Sequence, residues 1–89
     1  MTERFEELRR QIAENDRAIV AGVNARLRLV AELWELKDAQ SSPRVDPDRE
    51  RRLREALAAS NGGPLSPEGL EWLVTELLAL TKRELGEGT

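Results

Sequence analysis

Apolar side chains recur along this chain at steps of three and four, the spacing of one face of an α-helix, and no segment alternates as a strand does. Between Glu3 and about Ala39 the positions Phe5, Leu8, Ile12, Ile19, Val23, Leu29, Val30 and Leu33 make a first stripe, which Ser41-Ser42-Pro43 interrupts. Asp46-Pro47 restarts the helix: aspartate is a good N-cap, and proline at the first helical position gives up an N–H that would have no partner anyway. Leu53, Ala56 and Leu57 form the inward face of that second segment. Asn61-Gly62-Gly63 ends it, since Asn and Gly tolerate the left-handed conformation that closes helices. Ser66-Pro67 repeats the start signal, and Leu70, Leu73, Val74, Leu77, Leu78, Thr81 and Leu85 carry a third stripe almost to the end, with Gly86 to Thr89 expected to fray. The pattern predicts an all-α fold, one domain over residues 1–89, with helices at about 3–39, 46–60 and 66–85.

The first helix would be roughly 50 Å long, longer than a globule of this size is wide. Two helices about half its length cannot cover its stripe, so it must kink or find a second chain. Gly22, in the middle of the stripe, would let another helix approach closely. A homodimer built along the first helix is the expectation.

Composition narrows the chemistry. The 89 residues include no His and no Cys, which removes the usual general base, thiolate nucleophiles, disulfides, Ser-His triads and the common zinc sites. No metal or cofactor is therefore expected. A formal charge of −3 argues against nucleic acid and anionic membranes as partners. The run Arg49, Arg51, Arg52, Arg54 is interleaved with Glu50 and Glu55 and lacks stacking aromatics, so it does not read as a nucleic-acid patch. The segment Met1 to Phe5 carries acidic residues and no apolar run, and no stretch approaches the roughly 20 residues that cross a bilayer, so a cytoplasmic location is expected. The basic residues are lopsided: of fourteen, only Lys37 and Lys82 are Lys. Arginine grips carboxylates through two parallel bonds, whereas lysine acts as a point charge.

Two of these cations interrupt the first stripe. The three-four stepping that runs through Leu8, Ile12, Asn15, Ile19 and Gly22 next meets Arg26 and, past Leu29 and Leu33, Lys37. About 16 Å of helix axis separates them, a gap that two long side chains can close around a small anion. Alternatively both reach the rim, or pair with Glu32 or Asp38. Arg9 lies about 25 Å along the axis from Arg26, so it could share a ligand with it only through an antiparallel partner chain; alone, it would pair with Glu6 or Asp16. In the second segment Asp46 caps, Asp48 suits the positive helix end, and Glu50 with Arg54 has the spacing of an ion pair. Arg49, a cation in the first turn, has no such structural reason and reads as an anion contact. Trp34 and Trp72 read as core or interface residues rather than ligand platforms, and Thr81 can bond to a carbonyl one turn back.

Taken in order, Leu8-Arg9-x-x-Ile12, Asn15-Asp16, Arg26, Lys37 and Asp46-x-x-Arg49-Glu50 resemble the all-helical class of chorismate mutases, in its short monofunctional form. The resemblance runs from Leu8 to Thr81. It implies a three-helix protomer in an intertwined homodimer whose two active sites each borrow Arg9 from the partner chain. It further implies that Arg9 and Arg26 bind the two carboxylates of chorismate, Lys37 the ether oxygen and a carboxylate, Arg49 a carboxylate, and Asp46 with Glu50 the ring hydroxyl. Lys37, Arg26, Arg49 and Glu50 are the catalytic candidates, and Thr81 a substrate-binding one. The family commonly places Gln or Glu one turn after Thr81; here Leu85 falls there, with Glu84 beside it, about 100° around the helix. Short members lacking that residue resemble forms activated by a partner enzyme of the shikimate pathway.

The implied reaction, chorismate to prephenate on the route to phenylalanine and tyrosine, is a unimolecular pericyclic step, which a chain without His or Cys can serve by orientation and fixed charge. Alternatives on the same fold are a 4-amino-4-deoxychorismate mutase and an isochorismate pyruvate lyase. A non-enzymatic helical dimerisation module is the alternative of another class.

Overall fold

A computed structural model describes residues 2–86; of the segment expected to fray, residues 87–89 lie outside the described residues. The described chain is helical, with no strand: α1 spans Thr2–Ala39, α2 Pro47–Ser60 and α3 Pro67–Glu84. The caps follow from local chemistry. Asp46 is extended, and its side chain accepts from the N–H groups of Asp48 and Arg49, while Ser66 accepts from the Gly69 N–H at 3.0 Å. At the end of α1 the chain reverses through Ser41, at φ 58°. The Ser42 N–H returns to the Lys37 carbonyl at 2.8 Å and the Ser41 N–H to that of Asp38 at 3.1 Å, the closure of a Schellman cap with serine where glycine is usual.

α1 neither stops at Gly22 nor breaks elsewhere. Its 38 residues rise through about 57 Å, close to the 59 Å longest dimension of the protomer. The radius of gyration is accordingly 16.7 Å, against roughly 12 Å for a globular chain of this length. α3 packs against both α1 and α2, so the core sits at the C-terminal half of α1, where Trp34, Val74 and Leu78 are buried together with the polar Thr81. That core is very small. The rest of the α1 stripe has no cover within the protomer: Ile12 is 60% exposed and Leu29 67%, with Phe5, Leu8 and Ile19 similarly open. A Cβ built on Gly22 would meet nothing within 4 Å.

Two expectations need correction. Leu73 was placed on the inward stripe but lies exposed, because the face α3 turns to α1 and α2 is the narrower one through Val74, Leu78 and Thr81; Trp72, 66% exposed, has no cover within the protomer. Glu50 and Arg54 do not pair with each other: Glu50 meets Lys82 at 3.0 Å, and Arg54 reaches Glu71 and the Thr75 hydroxyl. Cross-helix partners on α3 won over the neighbour one turn away, and together they fasten α2 to α3. Among the described residues no helix is long and apolar enough to cross a membrane.

Candidate active site

Because α3 holds α1 and α2 apart at one end, a cavity of about 450 Å³ opens between them, within the roughly 300–1,000 Å³ typical of small-molecule sites. Each wall is a helical stripe. α1 supplies Arg26, Val30, Trp34 and Lys37; α2 supplies its cap Asp46, then Arg49, Glu50 and Leu53; α3 supplies Leu78, Thr81 and Lys82. Apolar side chains form the floor, and the polar groups converge above it.

Arg26 is anchored across the helices. Its Nη1 donates to the Thr81 Oγ1 at 2.6 Å, and the Thr81 hydroxyl in turn donates to the Leu77 carbonyl at 2.8 Å. The directions are fixed, since guanidinium can only donate and a carbonyl can only accept. Neither Glu32 nor Asp38 pairs with it.

Lys37 donates from its Nζ to the Arg44 carbonyl at 3.1 Å, so the loop between α1 and α2 sets its reach. That loop is tied down by Arg44, whose guanidinium makes two parallel bonds to Asp38, at 3.0 and 2.7 Å, and lies over the Trp34 ring, 5.4 Å from its centroid. The Arg44 bond holds the Asp38 carboxyl below its ordinary range. Arg49 stands in the first turn of α2, exposed, and its guanidinium has no hydrogen-bond or ion-pair partner among the described residues.

The charge of the lining is opposite to that of the chain. Six cations, Arg26, Lys37, Arg44, Arg49, Arg52 and Lys82, face two carboxylates, Asp46 and Glu50, in a protein whose formal charge is −3. Glu50 is taken up by Lys82 and Asp46 by the cap of α2. Arg26, Lys37 and Arg49, by contrast, have neutral partners or none. A cavity lined in this way, with apolar side chains beside fixed cations, has the chemistry to hold carboxylates and to stabilise negative charge that develops between them.

The structure thus brings together Arg26, Lys37, Asp46, Arg49, Glu50 and Thr81. Arg9 stands apart near the far end of α1, exposed, 3.9 Å from Glu6 and over the Phe5 ring. Glu84 and Leu85 do not line the cavity: α3 ends at Glu84, and Leu85 serves as its C-cap, donating its N–H to the Thr81 carbonyl. Sequence reasoning missed Lys82, Arg52 and Arg44. Lys82 had a signal, one of only two lysines and four residues after Leu78 on the α3 stripe; Arg52 lies one turn after Arg49. Arg44 had none, because a loop residue obeys no period.

In comparison with protein families, the model described as chorismate mutase type II matches residues 8–84. Comparison with curated proteins gives no match.

Proposed function

The chain belongs to the chorismate mutase type II family, and from that membership we propose that it rearranges chorismate to prephenate, as a homodimer, in aromatic amino acid biosynthesis. The observation that carries this reading is the set of cations in the cavity, Arg26, Lys37 and Arg49, with no carboxylate among the described residues neutralising them. A non-catalytic helical module has no need of such a set, because converging cations without a counter-charge repel one another.

In this reading Arg26, oriented by Thr81, and Arg49 hold the substrate carboxylates and so fix the compact chair in which the reacting carbons meet, an orientation effect. Lys37 lies against the ether oxygen, where negative charge builds as the C–O bond breaks. Glu50 and Asp46 receive the ring hydroxyl. No proton transfer or nucleophile is required.

The dimer supplies what the protomer lacks. The apolar stripe left open on α1 and the open face of Gly22 fit an antiparallel second copy, and that arrangement carries Arg9 of one chain to the Arg26 end of the other chain's cavity. Arg9 then leaves its exposed contact with Glu6, which at such a surface contributes little.

Loss of the chorismate diene absorbance, with prephenate identified as product, tests the activity. Lys37→Ala tests the mechanism: removing one preorganised donor is expected to lower kcat by about 10²- to 10³-fold with a small change in KM. An effect confined to KM would refute the role given to Lys37. Slow turnover with intact substrate binding would point to the activating partner enzyme that the short form implies.

A further inference from the structure

Glu50 and Lys82 face each other where α2 and α3 form one wall of the cavity. The Lys82 Nζ lies 3.0 Å from one Glu50 oxygen and 3.4 Å from the other, so a single ammonium straddles the carboxylate. Both side chains are largely withdrawn from solvent, at 32% and 26% exposure, and both line the cavity. Asp46, the other carboxylate of the lining, has one oxygen engaged by two backbone N–H groups of α2. Glu50 is therefore engaged through both oxygens and Asp46 through one, while a surplus of cations remains.

Resting on the proposed mutase activity, we infer that Lys82 is a specificity-determining residue that makes this site accept a ring hydroxyl and reject a ring amine at the same position. A hydroxyl needs only a lone pair to donate to, and a carboxylate oxygen bound by an ammonium keeps one free. An alkyl amine is protonated at neutral pH. Carried to Glu50, it would put a second ammonium beside that of Lys82 around one carboxylate, in a cavity already rich in cations. Entering uncharged instead, it must first lose its proton. Either route costs the amine and leaves the hydroxyl untouched. At a partly open site with an effective dielectric of about 20, two ammoniums about 5 Å apart make the discrimination due to Lys82 on the order of a hundredfold.

The test compares kcat/KM for chorismate and for its 4-amino-4-deoxy analogue with the wild-type dimer, Lys82→Met and Lys82→Arg, using calorimetric Kd values for any pair too slow to assay. Methionine keeps the length of the side chain and removes its charge; arginine keeps the charge. The expected result is a wild-type preference for the hydroxyl of about a hundredfold, shrinking by about the same factor in Lys82→Met through a gain on the amino substrate, and retained in Lys82→Arg. A wild type that handles both substrates alike, or a ratio unmoved in Lys82→Met, overturns the inference and leaves the mutase reading standing. Neither turnover nor binding of either substrate would instead refute the mutase reading itself. Should Lys82→Met fail to fold, Lys82→Gln removes the same charge with a polar side chain and decides in its place.

Discussion

Replacing Thr81 by valine isolates one bond in the cavity. Valine has nearly the volume of threonine, so the buried packing against Val74 and Leu78 is kept while the hydroxyl is lost. Thr81 is 4% exposed, and its oxygen accepts from the Arg26 guanidinium at 2.6 Å while donating to the Leu77 carbonyl at 2.8 Å. The Leu77 carbonyl already serves the helix, so little is lost there. Arg26 loses its one acceptor among the described residues and must turn toward water. A hydrogen bond to a charged group contributes about 1.5–3 kcal/mol, and the partly open cavity lets water recover some of it, leaving about 1–2 kcal/mol. If Arg26 must sit in this orientation to hold a substrate carboxylate in the transition state, Thr81→Val lowers kcat/KM by about 5- to 30-fold. Steady-state kinetics on chorismate, with circular dichroism to show that the helices persist, measure this, and Thr81→Ser should stay within a few-fold of wild type because it restores the acceptor. A folded Thr81→Val protein within about twofold of wild type would refute the idea that Thr81 orients Arg26.

Two further outcomes follow from the same geometry. Arg9→Ala and Arg26→Ala proteins should each be nearly inactive, yet mixing them after reversible unfolding should restore about a quarter of wild-type activity, because half the random dimers are mixed and each holds one complete site. Failure to recover activity, with mixed dimers demonstrated by mass spectrometry, would show that Arg9 does not cross to the partner. Asp38 has its carboxyl pKa lowered by the Arg44 bond, so that tie favours the folded state above the ordinary carboxylate range and fades as the pH falls through the lowered value. The Tm of Asp38→Asn should therefore lie below that of wild type at neutral pH, and the two should converge on acidification below about pH 4; parallel curves would show that the tie does not stabilise the fold.

Much of this protein is written in local sequence. Helix caps act within a turn, so Asp46-Pro47, Ser66-Pro67 and the break at Ser41-Ser42-Pro43 could be read directly, and α1 ends while α2 and α3 begin beside them. The three-four period also put Arg26 and Lys37 on one face of α1 and Thr81 on the stripe of α3, because helical geometry alone sets which residues share a face. Partner choice between helices was beyond that reach. Glu50 prefers Lys82 to Arg54, and Arg26 prefers the Thr81 hydroxyl to Glu32 or Asp38, because residues distant in the chain are brought closer than a neighbour one turn away. Only the docking of α3 decided that the cavity exists, that Glu50 in its wall meets Lys82, and that Glu84 and Leu85 lie outside it. Periodicity fixes a direction around a helix axis; the distance between two axes, and hence the room and the charge between them, depends on how side chains from all three helices pack at once.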